Sequence, residues 1–208
     1  STEEVVGYQL ENGQLRLQDG SRHVGEDYAQ FYFIPDKNWS GKQSFLYQYT
    51  SGSSVESDIA QIAIFIAPEN DKPKIIVNSG SSTLDEDQSM TFDSNEGANS
   101  ISLSDVDSTG SELMDMSLRV ENGTLDLAST NNLTVLSGAD NTGRISVRGT
   151  LPDLSAAVEG LVYSPHANYN GSDSLNLSLN DRGNTGSGGK LSDSETVSLT
   201  VNPVNDKP

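Results

Sequence analysis

The chain has 208 residues, enough for one large domain or two modest ones, each with a usable core. Thirty acidic residues outweigh twelve basic ones; the net charge of −18 repels nucleic acid and anionic membrane surfaces, and neither is expected as a partner. Hydrophobic residues make up 33%, cysteine is absent and only two histidines occur, which argues against a thick α/β core, disulfide staples, and a zinc or copper site.

No apolar run is long enough to cross a bilayer, so membrane insertion is not expected. Ser1 does not open a signal peptide, and the chain reads as cut from inside something longer. In chain order, Glu11-Asn12-Gly13-x-Leu15 comes first, followed by Phe33-Ile34-Pro35-Asp36-Lys37-Asn38-Trp39-Ser40-Gly41. Period-two alternation then predicts strands over 44–50 and 57–66, before Pro68-Glu69-Asn70-Asp71-Lys72-Pro73.

The same three signatures return in the same order. They are Glu121-Asn122-Gly123-x-Leu125, Tyr163-Ser164-Pro165-His166-Ala167-Asn168-Tyr169-Asn170-Gly171 and Pro203-Val204-Asn205-Asp206-Lys207-Pro208. Strands are predicted over 100–103, 116–120, 143–147, 174–179 and 196–201, separated by Gly, Asn, Asp and Ser turn clusters. One short helix is predicted over 151–160, with Pro152 early, Leu154, Ala157 and Val158 on one face, and Gly160 ending it. Two modules follow, residues 1–73 and 74–208, each a β-sandwich. The second is longer between its Glu-Asn-Gly and aromatic-Pro signatures. The first is short at its front, as a truncated or split module would be. The Gly-rich stretch 184–189 reads as a flexible hairpin tip.

Acidic clusters mark the chemistry. Loops of an aligned sandwich gather at its two ends, which would bring Asp105 and Asp107, after one strand, and Asp181, after another, against Asn70 and Asp71. Six to eight oxygen ligands suit calcium, and without the ion these like charges would repel one another. A further cluster, Asp85-Glu86-Asp87, lies early in the second module, with Asn205-Asp206 at the far end of the sequence.

The Asp-x-Asp loop, the Asp181 loop and the Asn-Asp-x-Pro linker resemble cadherin repeats. The second module is similar along most of its length to the cadherin-like tandem repeats of giant bacterial RTX adhesins exported by type I secretion. The stretches that carry this are Leu84-Asp85-Glu86-Asp87, residues 101–107, Glu121-Asn122-Gly123-Thr124-Leu125, Leu161-Val162-Tyr163-Ser164-Pro165, Asn168-Tyr169-Asn170-Gly171 and residues 201–206. The resemblance implies an all-β chain of two tandem cadherin/Ig-like Greek-key β-sandwich modules, with one short helix in the second. It implies Ca2+ as cofactor, with Glu86 pairing with Asn205 and Asp206 at a second calcium site. It also implies a calcium-rigidified extender of a bacterial surface adhesin, extracellular, serving cell adhesion and biofilm formation. Its partners would be neighbouring modules of the same chain, while other domains contact a host-cell or surface receptor. The first module departs from the pattern, with Ser51 and Gly52 where the second has Asp181 and Arg182.

No nucleophile motif, phosphate loop or paired metal-binding histidines occur, so no enzyme is expected. The alternative is a carbohydrate- or peptide-binding module, or a split domain carrying an inserted ligand-binding domain. The aromatic residues Phe31, Tyr32, Phe33, Trp39, Tyr47 and Tyr49 of the first module motivate it, although Trp39 occupies the repeat position of Tyr169, which favours packing.

Overall fold

The computed structural model describes residues 7–10, 13–17, 31–47, 58–79, 82–94 and 99–205. The described residues are all-β with one short helix. Chain contacts divide it into two compact units, Ser1–Glu69 and Asn70–Pro208. The boundary falls before Asn70 rather than after Pro73. The reason is local: the Asn70 N–H donates to the Ser187 carbonyl at 2.7 Å and its side chain to Asp181 and Gly189, so the 70–73 segment goes with the second unit.

In the first unit, β1 (Gly7–Leu10), β2 (Gly13–Leu17) and β3 (Phe31–Pro35) form an antiparallel sheet in that order, and β4 (Gly41–Tyr47) pairs with β5 (Ala60–Ile66). Alternation along β5 leaves Ile62 and Ile64 half-buried, while Phe65 on the other face is 70% exposed. The predicted strand over 44–50 begins earlier, at Gly41, and residues 48–57 lie outside the described residues.

The second unit holds β6 (Lys74–Ser79), β7 (Thr83–Asp85), β8 (Met90–Phe92), β9 (Asn99–Ser104), β10 (Leu113–Arg119), β11 (Gly123–Asp126), β12 (Thr134–Gly138) and β13 (Arg144–Thr150). These are followed by α1 (Leu151–Val158), β14 (Leu161–Pro165), β15 (Gly171–Asn180) and β16 (Ser192–Asn202). Six strands make one sheet in the order β12-β13-β10-β15-β16-β7, antiparallel except for β16 with β7. The remaining strands form β11-β14-β8 and β6-β9. Strict alternation buries Met114, Met116 and Leu118 of β10 and Leu175, Leu177 and Leu179 of β15. They share one core with Phe92, Leu125, Leu161 and Tyr163 of the smaller sheet. The helix adds Leu154, Ala157 and Val158 to that core. Its N-cap is Thr150, whose hydroxyl accepts the Asp153 N–H at 3.3 Å, with Pro152 in the first turn.

The two copies of the repeat adopt the same geometry. β2 pairs with β3 at Gly13↔Pro35, and β11 pairs with β14 at Gly123↔Pro165, although β12, β13 and α1 intervene in the second unit. In the turn that follows, Asn38 and Asn168 have φ of 60° and 58°, and Gly41 and Gly171 have φ of 131° and 133°. The Trp39 N–H donates to the Asp36 carbonyl at 3.1 Å and that of Tyr169 to His166 at 2.9 Å. Each aromatic ring then lies over its glycine, where a side chain would meet it. The Trp39 ring also meets Phe33 edge-on at 5.9 Å.

Candidate functional site

Asn70 opens the second unit and is buried, 6% exposed. Its Nδ2 donates to Asp181 Oδ2 at 2.6 Å and to the Gly189 carbonyl at 2.9 Å, and its Oδ1 accepts from Thr185 Oγ1 at 3.1 Å. Asp181, 4% exposed, follows directly on β15. Its Oδ1 accepts the N–H groups of Gly183 and Leu191, both at 2.8 Å. The stretch expected to be a free hairpin tip is therefore closed around an asparagine and a carboxylate. A buried polar pair must find such partners, and the 182–191 loop supplies them.

Asp105 and Asp107 follow β9. Asp105 Oδ1 accepts the Asp107 N–H at 2.9 Å, an Asx turn that holds the two carboxylates side by side. Asp107 Oδ2 in turn accepts the Asp71 N–H at 2.5 Å. The structure thus brings together Asn70, Asp71, Asp105, Asp107 and Asp181, the five residues that sequence reasoning grouped. Partial burial pushes the Asp105 carboxyl up; the Asp107 N–H opposes this, and the charges of Asp107, Asp181 and Asp71 push it further up. Lys72, next to Asp71 in the chain, has its ammonium engaged with Asp193 Oδ1 at 2.7 Å.

Sequence reasoning passed over Glu112 in the same loop. Its carboxylate gathers the Thr109 N–H at 2.9 Å and the Thr109 hydroxyl at 2.6 Å. The Thr109 hydroxyl, first among these hydrogen bonds, holds it down to about 2. Asp173 was also missed: 8% exposed, it accepts from Tyr163 Oη and the Asn122 N–H, both at 2.9 Å. The signal was available, because period two puts Asp173 in phase with Leu175, Leu177 and Leu179. By the same phase Asp193 falls on the Val197 side, where it accepts the Ile75 N–H at 2.8 Å.

At the other end, Glu86 is 6% exposed. Its Oε1 accepts the Val204 N–H at 2.6 Å and its Oε2 the Asn170 Nδ2 at 3.4 Å. Glu86 therefore clamps the residue before Asn205, while Asp206 lies outside the described residues.

The donor set at the first cluster is one of hard oxygens, which suits a cation such as calcium. Asp181 and Asn70 are already committed to the loop, which leaves Asp71, Asp105 and Asp107 as the carboxylates with oxygens turned to other uses. Among the described residues, no group of three or more His, Cys, Asp or Glu is spaced to hold a metal ion as it stands. No helix among them is long and apolar enough to cross a membrane.

No protein-family model and no curated protein matches the chain. Among solved structures, one described as the complete structure of manganese lipoxygenase of Gaeumannomyces graminis and partial structure of zonadhesin of Komagataella pastoris is similar over 93% of this chain and 67% of that one. Its identity is 10% and its TM-score 0.31, a level that carries no argument about fold or function.

Proposed function

We propose that the chain is a calcium-stiffened extender segment of a bacterial surface adhesin, extracellular and without enzymatic activity. Its partners are neighbouring modules of the same long chain, and other domains contact the receptor. One observation carries this reading: Asp71, Asp105, Asp107 and Asp181 crowd where the chain comes into the second unit, and their negative charges act on one another. Like charges a few ångströms apart repel by on the order of 1 kcal/mol or more per pair in a half-wet site. A divalent cation would replace that repulsion with attraction. Asp71, Asp105 and Asp107 would supply carboxylate oxygens, with carbonyls and water completing the shell. Asp181 would act through its field while its own oxygens stay on the 182–191 loop. The ion would then fasten the 70–71 segment to the body of the second unit. The shared geometry of the two motif copies supports tandem modules. The buried carboxylates Asp173, Asp193 and Glu86 all accept backbone N–H groups, which is structural rather than catalytic work.

The test is thermal unfolding after chelation, with and without millimolar calcium, for the wild type and for Asp105→Asn/Asp107→Asn. An ion at 100-fold its dissociation constant adds about 2.7 kcal/mol. For a unit of this size that raises Tm by roughly 10 °C. A shift in the wild type that is absent from the variant supports the reading, and equal behaviour of both proteins with and without calcium refutes it.

A further inference from the structure

Alternation along the six-stranded sheet turns one face to the core and the other outward, and the outward face is organised in rungs. One rung runs across five strands and is all serine: Ser137, Ser146, Ser117, Ser178 and Ser194 are successive cross-strand partners. The next rung is Arg144, Arg119, Asn176 and Thr196. Short serines beside longer side chains leave a depression of about 270 Å3. Leu118 and Leu177 also border it, but their side chains are buried on the other face, so they offer main chain; exposed Glu195, the cross-strand partner of Leu177, stands at its border.

Two features of this face are unusual for a chain of net charge −18. Three of its six arginines, Arg119, Arg144 and Arg148, lie on it. Arg119 and Arg144 are direct cross-strand partners, an arrangement of like charges that destabilises a sheet. Arg148 is satisfied by Asp115, at 2.6 and 2.9 Å. Among the described residues Arg119 is paired only with Glu121, at 3.0 Å, with both side chains more than half exposed, a weak pair. No hydrogen bond or ion pair holds the Arg144 guanidinium among the described residues.

We propose that this depression binds an acidic oligosaccharide, with a sulfate or carboxylate group received by Arg119 and Arg144. Guanidinium groups take such oxyanions in paired hydrogen bonds, and a bound anion removes the repulsion between the two arginines. Ser117, Ser178 and Ser194 of the serine rung, with Asn176 and Thr196, offer the mixed donors and acceptors that ring hydroxyls need. The lining has no aromatic platform for a base and no apolar side chain for a lipid or an amphipathic helix. This site is independent of the calcium reading, and titration in chelator separates the two.

The test is NMR titration of the whole chain with a heparin hexasaccharide, and in parallel with cellohexaose, sodium sulfate and poly-glutamate. The expected result is that the sulfated saccharide shifts the amides of Ser117, Arg119 and Ser178, and that its affinity falls between about 0.05 and about 0.5 M salt. Cellohexaose, sulfate and poly-glutamate should bind at least about tenfold more weakly. Arg119→Gln/Arg144→Gln should lose about tenfold or more, as expected when charge-assisted hydrogen bonds go, with the melting temperature not lowered. Arg144→Gln alone, which removes no hydrogen bond or ion pair among the described residues, should lose part of the affinity. Absence of those shifts at low salt, equal affinity in the variants, an equal response to sulfate (an ion site only), or equal binding of poly-glutamate would each overturn the proposal.

Discussion

Replacing Asp173 with alanine tests how the repeat motif is anchored. The carboxylate is 8% exposed and accepts Tyr163 Oη at 2.9 Å, the Asn122 N–H at 2.9 Å and the Glu121 N–H at 3.2 Å. Truncation strands a fully buried phenol, while the two N–H groups sit in a turn that water can reach. A hydrogen bond to a charged group contributes about 1.5–3 kcal/mol, and an orphaned buried hydroxyl carries a penalty of about 1–3 kcal/mol. Rehydration of the turn and release of a buried carboxylate offset part of this, so the net loss should be about 3 kcal/mol, a Tm lower by roughly 10 °C in calorimetry of the whole chain. Tyr163→Phe removes one bond and leaves the turn intact, so it should cost about 1 kcal/mol. The first unit has Phe33 and Gln43 at the matching positions, so Tyr163→Phe/Asp173→Gln should cost less than the sum of its single changes. A loss below about 1 kcal/mol for Asp173→Ala, or equal losses for Asp173→Ala and Tyr163→Phe, would refute the anchor.

Other consequences concern charge and backbone. The Arg148 hydrogen bond, ahead of the opposing effect of burial, holds the Asp115 carboxyl below the usual carboxylate range. Its contribution is present above the unfolded value and lost as pH falls through the folded one, so Arg148→Gln should lower Tm at neutral pH and converge with the wild type in acid melts. Asp105 has the opposite sign. In chelator the folded state holds that proton more tightly, so stability should fall as pH rises from the ordinary carboxylate value through the raised one, and Asp105→Asn should flatten this part of the profile. Asn70→Ala removes three side-chain hydrogen bonds, and hydrogen exchange should quicken at Gly183 and Leu191 while the β15 amides stay protected. Gly171→Ala forces a side chain into φ of 133° with its Cβ 3.3 Å from Tyr169 Oη; a loss of about 1–3 kcal/mol by denaturant titration is expected.

The sequence was most legible where it repeated itself. The aromatic-x-Pro-x-x-Asn-aromatic-x-Gly pattern specified a backbone course, since Asn and Gly tolerate positive φ and the ring needs a bare glycine beneath it. Strands with one wet face were legible from alternation, and α1 from its cap and apolar stripe. β12 was not, because all five of its residues are exposed at a sheet edge and nothing buried sets a period. β7 and β8 have three residues each, too few to show one. The cluster of Asn70, Asp71, Asp105, Asp107 and Asp181 was legible because loop ends of a sandwich converge. The division of labour within it was not. Which oxygens are spent on backbone N–H groups depends on how the 182–191 loop closes, and a Gly-rich stretch encodes that only weakly.

The parallel ladder between β7 and β16 has a mechanical consequence. Thr83 meets Thr200, Leu84 meets Val201 and Asp85 meets Asn202. A pull on the N-terminal side of β7 and the C-terminal side of β16 draws the two strands along each other in opposite directions. Their hydrogen bonds are then loaded in shear and must give way together instead of opening one at a time. Glu86, holding the Val204 N–H just beyond β16, adds a further bond to be broken on the side where tension leaves the unit. Resistance to stretching is thus built into the strand order of the second unit.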